Sequence, residues 1–388
     1  MLRVAVLLDN TLKTDRRALM ELSTLNKLPI DLTLFCNKEP DLPENEQRGN
    51  MKIKRLFNSA MWAFSSRKLL DDFAKKLSEE NFDVLHCHDQ YLLHVGATVK
   101  RLKPNTILIY ESRELFHSWP LNYANISFIN TIKAKIVRLY EMRREKQNGK
   151  QIDYLITVNE SLGNILEKYF NIKNKAIVTR NIPAFKEIPE KDFTLRHKYH
   201  IPDKDNVVVY IGVNVYRHTN CMEQFVDAIA GMNNLHLIII TRRNERRIWF
   251  ENYVRERGYR NIYFHDLIPV DKIEETISCC NIGLVTAWYK KKLSYWLALD
   301  NKLFTYIMSE MPILGTAQPE YEKIIINHHV GQCVNPETPG SIEKAINELI
   351  LNKSTYISNC KKAKYDLCWE KEEASLLSLY HQLIIGKM

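Results

Sequence analysis

The feature that most constrains this chain is an alternation running through both of its halves. Short apolar, β-rich runs are separated by longer segments of helical period. In the first half the runs are Leu2–Leu8, Ile30–Cys36, Ile53–Leu56, Val84–His88, Thr106–Tyr110, Tyr154–Val158 and Ala176–Thr179. In the second they are Val207–Ile211, Leu235–Ile240, Ile262–Phe264, Ile282–Val285, Ile313–Leu314 and Gln332–Val334. Nearly continuous apolar runs of this length are the pattern of parallel strands covered on both faces. The segments between them are amphipathic: in Arg67–Glu79, Leu69, Leu70, Phe73 and Leu77 fall at helical spacing. Strand and helix in strict alternation predict an α/β chain of two doubly wound parallel sheets.

The alternation breaks between Pro183 and Asp205, where Pro183, Pro189 and Pro202 punctuate a charged, aperiodic stretch. The predicted organisation is a Rossmann-like domain over 1–185, a linker over 186–205, a second Rossmann-like domain over 206–368 and a terminal helix over 369–388. That last segment, from Glu370 to Ile385, places Leu376, Leu377, Tyr380 and Leu383 on one face. Open α/β sheets bind ligands beyond the C-terminal ends of their strands, where helix N-termini favour phosphates. Two such sheets predict a two-domain enzyme with a phosphorylated ligand in a central cleft.

Composition removes several alternatives. The longest apolar runs, such as Leu237–Ile240, are strand-sized, far below the roughly 20 residues that span a bilayer. Met1–Leu8 reads as a strand rather than a signal sequence. The eight cysteines include no C-x-x-C pair, and most sit in apolar segments, as expected of reduced cytosolic thiols. The net charge of +9 is uneven: residues 1–182 carry 29 basic and 21 acidic side chains. A basic first half predicts an anionic partner there. Nucleic acid is the poorest of the candidates, since no helix-turn-helix, zinc finger or ribonucleoprotein motif is present.

Several segments together resemble the GT-B glycosyltransferases of family 4, the group-1 glycosyltransferases of bacterial envelope polysaccharides. Thr14-Asp15-Arg16-Arg17-Ala18-Leu19-Met20-Glu21 resembles that family's D-x-R-V-x-x-E-A stretch, and Asp83–Asp89 follows the same order. Tyr110-Glu111-Ser112-Arg113-Glu114-Leu115-Phe116 is similar to Y-D-x-H-E-L-F. Tyr154–Ser161 and Thr179–Pro183 are close to ITVNESI and RNVP. In the second half, Tyr210-Ile211-Gly212, then Asp300-Asn301-Lys302-Leu303-Phe304-Thr305-Tyr306, Met311–Leu314 and Pro319–Glu322 continue the likeness, the second of these resembling P-N-K-L-F-E-Y.

The resemblance implies a GT-B fold whose terminal helix crosses back onto the first domain, with an acceptor domain first and a nucleotide-sugar donor domain second. It implies transfer of a sugar from a nucleotide-sugar to a glycan or lipid-linked acceptor, retaining and without a divalent metal or other cofactor. Breaking the anomeric bond builds negative charge on a diphosphate, which fixed cations must stabilise. Arg217 and Lys302 are the candidates for that role, and His88 and Glu114, which follow first-domain strands, are the further catalytic candidates. Asn214, Arg242, Leu267, Asn301, Thr305 and Glu322 are the implied donor contacts; Asp15, Arg16 and Arg113 lie on the acceptor side. Read without the family, Lys302 is a solvated lysine at a helix start, and His88 and Glu114 are equally suited to capping a helix or bonding a loop.

Three departures from the family pattern stand out. Its two glutamates, eight positions apart, are here Leu297 and Thr305. A threonine offers one hydroxyl where a carboxylate offers two acceptors. The histidine of Y-D-x-H-E is Arg113, which stays charged at every physiological pH. Thr241-Arg242-Arg243, with Arg246 and Arg247, replaces a glycine-containing turn, either as an exposed helix start or as the mark of an unusual donor.

His86, His88 and Asp89 invite a metal reading, but alternation on a strand fixes no tetrahedral set and no metal is expected. Lys133–Lys150 holds seven basic and two acidic residues, with Ile132, Ile136, Leu139 and Tyr140 near one face. Met61-Trp62-Ala63-Phe64 precedes Arg67-Lys68. Such cationic amphipathic stretches either cover a domain or lie on an anionic membrane. The expected location is therefore cytoplasmic, peripheral on the inner face of the plasma membrane. Two other functions compete: a nucleotide-sugar epimerase on the same fold, and a non-catalytic nucleotide-sugar or glycan-binding partner of another transferase, motivated by the absent glutamates.

Overall fold

The computed structural model describes residues 1–13, 15–57, 67–118, 128–188, 190–217, 219–288, 290 and 292–387. Thr14, Met61–Phe64 and Pro189, which the sequence reading placed in a family motif, a lipid-facing stretch and the linker, lie outside the described residues. The chain divides into two units, Met1–Arg180 with Glu372–Met388, and Asn181–Lys371.

The first unit is built on an eight-stranded sheet: β1 (Leu2–Leu7), β2 (Ile30–Asn37), β3 (Asn45–Arg48), β4 (Met51–Phe57), β5 (Val84–His88), β6 (Ile107–Ser112), β7 (Tyr154–Thr157) and β8 (Ile177–Val178). Their order is β3-β4-β2-β1-β5-β6-β7-β8. Every pair is parallel except the β3–β4 hairpin, where Glu46 faces Ile53 across the ladder. The strand order reverses between β1 and β5, so a ligand-binding crevice is expected beyond Leu7 and His88. The apolar runs read from the sequence form these strands; the polar Asn45–Arg48 strand carries no such run and escaped that reading.

Local chemistry starts and stops the helices. Asp15 accepts the Ala18 amide at 3.0 Å and so caps helix Arg16–Leu25. Asn159 does the same for helix Glu160–Phe170, which ends at Asn171 in the left-handed region. The terminal helix, Trp369–Ile385, closes the first unit's core: Leu376, Leu379, Tyr380 and Leu383 pack with β1, β2 and helix Arg16–Leu25.

The second unit holds six parallel strands: β9 (Asn206–Ile211), β10 (Leu235–Ile240), β11 (Ile262–His265), β12 (Ile282–Val285), β13 (Ile313–Thr316) and β14 (Gly331–Val334). The order β11-β10-β9-β12-β13-β14 reverses between β9 and β12. The described part of the expected linker is packed into this unit. Leu195 and Ile201 join its core. Buried Arg196 donates to the carbonyls of Cys279, Pro202 and Asp205 and to Asn281 Oδ1. A charge that reads as solvated in the sequence is here a clasp for orphan carbonyls, which is why the stretch lacks periodicity yet is ordered.

One glycine sets the position of a functional helix. A Cβ at Gly283 in β12 would stand 2.3 Å from the Tyr306 ring. Tyr306 rests on that bare backbone, and its hydroxyl accepts the Ile211 amide at 3.0 Å. Helix Asn301–Met308 is thereby drawn against the β9–β12 switch point, with Lys302 in its first turn.

Candidate functional site

In the second unit, the candidate residues follow the C-terminal ends of the strands. Gly212–Arg217 follows β9, Thr241–Asn244 follows β10, and Leu267 follows β11. Lys302 is seated among Tyr210, Tyr306 and Asp300. Its Nζ lies 3.0 Å from Asp300 Oδ2 and 4.5 Å from the centre of the Tyr210 ring. Burial works against the ammonium, yet the Asp300 carboxylate and the two phenols beside it hold its pKa above the usual lysine value. The result is a permanent cation, pre-aimed at the head of a helix.

Arg217 is arranged differently. It is partly exposed, its Nε donates to Glu223 at 2.9 Å, and its guanidinium stacks 3.7 Å above Trp249. With Tyr216, Arg246 and Phe250 it lines a cavity of about 320 Å³. Asn214 is tied to Asn244, whose Nδ2 donates to Asn214 Oδ1 at 2.8 Å. The basic run divides by role. Arg247 is buried and donates to Thr241 O, Glu251 and Asp266, whereas Arg242 and Arg243 are exposed. Leu267 and Glu322 are exposed, as is Asn301.

The two positions that would carry glutamates are closed. Leu297 is buried, and the Thr305 hydroxyl bonds back to the Asn301 carbonyl at 3.4 Å within its own helix. Asp300 is the carboxylate that the sequence reading missed; it sits one residue before the helix start, a position favoured by acids in any helix and so without a distinguishing signal.

In the first unit, the β1–β5 switch point holds a buried ionic network. Arg17 Nε donates to Glu111 Oε1 at 2.7 Å and faces Glu21 Oε1 at 2.9 Å, and its Nη1 donates to the Thr179 carbonyl at 2.5 Å. His88 stands opposite Glu111 in the β5–β6 ladder, with Nδ1 3.3 Å from Glu111 Oε1. His86 Nδ1 shares a 3.0 Å hydrogen bond with the Tyr380 hydroxyl of the terminal helix. Arg113 reaches Asp15 Oδ2 at 2.7 Å and His88 Nδ1 at 3.2 Å.

The electrostatics follow from burial. Burial opposes charge on Glu111, but Arg17 and His88 hold its carboxyl well below the usual range. Burial pushes Glu21 well above it, and pushes the His88 imidazole down to about 4. Asp89, in the left-handed region at φ +66°, is pushed up to about 7 by burial against Asp9, Glu111 and Glu114, with Arg113 opposing.

Of the first-unit candidates, the structure brings Asp15, His88 and Arg113 into one hydrogen-bonded group. Arg16 is half-buried beside it and Glu114 is exposed. His88 is a buried member of the network, so its place is to hold Glu111 and Arg113. Arg113 is paired with Asp15 and Glu111, and these carboxylates together with Asp89 raise its pKa. Arg17, Glu21 and Glu111 were missed; only Glu111 left a signal, as a charge directly after the apolar run Ile107–Tyr110 of β6.

His86, His88 and Glu111 offer ligand atoms that all lie within 4.8 Å of one another, the residue set best placed for a metal among the described residues. The two imidazoles stack at 4.6 Å with planes 19° apart, so their in-plane lone pairs run side by side instead of converging. Arg17 occupies the carboxylate face. The set fits an ion-pair network better than a metal.

Residues 16–181 match the sequence profile of Glycosyltransferase Family 4. No curated protein matches the chain by sequence. Among solved structures, the chain is similar to the sucrose-phosphate synthase of Thermosynechococcus elongatus, with a TM-score of 0.76, 16% identity and 100% of both chains covered. It is similar to Anabaena HepE in complex with UDP-glucose, with a TM-score of 0.73, 11% identity, and 98% and 100% of the chains covered. It is also similar to WaaG, described as a glycosyltransferase involved in lipopolysaccharide biosynthesis, with a TM-score of 0.66, 15% identity, and 96% and 98% covered.

Proposed function

We propose that this chain, a glycosyltransferase of GT-B fold whose first unit is a Glycosyltransferase Family 4 domain, moves a sugar from a nucleotide-sugar to a glycan or lipid-linked acceptor in cell-envelope polysaccharide synthesis. The observation that carries this reading is the Lys302–Asp300 pair at the head of helix Asn301–Met308. As the acceptor hydroxyl oxygen bonds to the anomeric carbon, the bond to the diphosphate breaks, its electron pair goes to the leaving phosphate oxygen, and the hydroxyl proton passes to that leaving phosphate. A fixed ammonium and the helix-end amides meet that charge without reorganising. Arg217 is the second cation, stacked on Trp249 until a phosphate competes for it. In this reading the reaction retains anomeric configuration and needs no divalent metal, since the charge-neutralising groups are side chains. Anabaena HepE binds UDP-glucose, which favours a uridine donor among the candidates.

The acceptor side falls to the first unit, whose helix Phe128–Gly149 exposes Ile132, Ile136, Leu139 and Tyr140 among lysines and arginines. A basic face with exposed apolar residues suits the anionic inner surface of a plasma membrane, where lipid-linked acceptors reside. Among the described residues no helix is long and apolar enough to cross a membrane.

The test is a thermal-shift panel of UDP, GDP, ADP, dTDP and CMP. A nucleotide at about 100 times its dissociation constant adds roughly 2.7 kcal/mol to stability. A response to one nucleotide, lost in Lys302→Ala, supports the reading. Silence across the panel from folded protein favours a non-catalytic glycan-binding partner, the reading that buried Leu297 and the self-bonded Thr305 would then explain.

A further inference from the structure

The helices that hold the two cations of the proposed donor site lie on opposite faces of the second sheet. Helices Met222–Ala230 and Glu245–Glu256, which Arg217 contacts, pack through Phe225, Val226 and Phe250 in one core with Val208 and Tyr210 of β9. Helix Asn301–Met308, which carries Lys302, packs through Leu303, Phe304 and Ile307 in the core that takes Val207 and Val209. Alternate residues of a strand point to opposite faces, so these are two separate layers.

Arg217 is fastened to its own side. Its Nε donates to Glu223 in the first turn of helix Met222–Ala230 at 2.9 Å, and its guanidinium lies 3.7 Å over the Trp249 ring of helix Glu245–Glu256. The hold is reciprocal. Arg217 reaches from the loop after β9 to that helix, and Arg246 of the helix reaches back to lie 4.5 Å over Tyr216 of the loop. Two hydrogen bonds join the same loop to the stretch after β10, from Asn244 Nδ2 to Asn214 Oδ1 at 2.8 Å and from the Arg242 amide to the Val213 carbonyl at 3.2 Å. Arg217 itself is exposed and Trp249 half-buried. An exposed ion pair and a cation–aromatic contact in such a place are each weak. Together they fix where Arg217 rests, yet a diphosphate, which takes several charge-assisted hydrogen bonds from one guanidinium, displaces them.

We propose that Trp249 and Glu223 are positioning residues, which keep Arg217 in a resting place on its own face of the sheet until the diphosphate of the nucleotide-sugar draws it toward Lys302. The inference rests on the glycosyltransferase reading and adds to it two residues that act through Arg217 without touching the donor. A ligand that needs a side chain to leave its resting place binds more weakly, in proportion to the fraction of time that the side chain is free. The second cation then completes the site only around a bound diphosphate. Removing either hold therefore strengthens nucleotide binding, whereas a contact that merely supported the fold would weaken it.

The experiment is a calorimetric titration of the full chain with UDP, GDP, ADP and dTDP, followed by titration of the variants with the nucleotide that wild type binds. Trp249→Leu removes the aromatic face, and Glu223→Gln removes the charge at a partly exposed position while keeping the shape. Each should bind the nucleotide about threefold more tightly, and Trp249→Phe, which keeps a poorer ring, should gain less. In an Arg217→Ala background the same substitutions should leave affinity unchanged, because they act through that side chain. Unchanged or weaker binding in Trp249→Leu and Glu223→Gln overturns the proposal, as does a gain that persists without Arg217. Should Trp249→Leu fail to fold, Trp249→Phe and Glu223→Gln decide by the same criteria. No binding of any of the four by folded wild type overturns the transferase reading and this proposal with it; binding that the variants leave unchanged overturns this proposal alone.

Discussion

Lys302 Nζ stands 3.0 Å from Asp300 Oδ2, so the second unit's candidate cation is held by a carboxylate only two residues before it. That carboxylate is itself partly exposed, and it can stay hydrated when the lysine is removed. Lys302→Ala should therefore fold with a loss of only about 1–2 kcal/mol. Transfer should fall by about 10²–10³ in kcat, the scale of losing one preorganised charge contact. Wild-type turnover in this variant would remove Lys302 from the site.

Gly283→Ala tests how that helix is placed. The added Cβ would meet the Tyr306 ring at 2.3 Å, and the ring is enclosed on all sides. Overpacking of this kind costs about 1–3 kcal/mol. The urea midpoint should drop, and transfer with it, because Tyr306 and Lys302 share one helix. An unchanged midpoint would mean that the ring does not rest on β12.

The pH dependence of stability has two opposed components at the first switch point. The folded His88 titrates at about 4, against about 6.5 unfolded, so the unfolded chain alone takes up that proton between these values and stability falls as pH falls. The folded Asp89 titrates at about 7, against about 3.9 unfolded, so the folded chain alone keeps that proton and stability rises as pH falls. Asp89→Asn, with a residue well suited to φ +66°, should leave the acid loss; His88→Gln should leave the acid gain. Between pH 7 and pH 5 the two variants should diverge by roughly 2–4 kcal/mol in urea unfolding. Parallel curves would mean that neither group titrates differently in the folded and unfolded chain.

Charge reversal on helix Phe128–Gly149 addresses the membrane. Lys133→Glu with Arg143→Glu removes two exposed cations beside Ile132, Ile136 and Leu139. At about 1 kcal/mol per basic residue near an anionic leaflet, binding to phosphatidylserine-containing vesicles should weaken by well over tenfold. Equal sedimentation of variant and wild type with such vesicles would retire the membrane contact.

Both sheets could be read from the residues because burial on two faces leaves a mark that needs no partner: a run such as Val207–Ile211 or Leu237–Ile240 is apolar whatever packs on it. Helix Arg67–Glu79 and the terminal helix were legible for the same reason, as stripes of fixed period. Lys302 was legible as a helix-start lysine without any resemblance, and the structure puts it in the first turn of helix Asn301–Met308.

What the residues alone did not determine is which charges are solvated and which are clasped. Arg196 and Arg17 look like any surface arginine in sequence; one ties four carbonyl and amide oxygens in the second unit, and the other bridges Glu111 and Glu21 in the first. Glu111 meets His88 only through the β5–β6 register, and Asp205 meets His236 only because β10 lies beside β9. A charge is ruled by its neighbours within a few ångströms, and those come from strands and helices distant in the chain. Hydrophobic periodicity is a property of a segment, whereas the state of a buried polar group is a property of the place where segments meet.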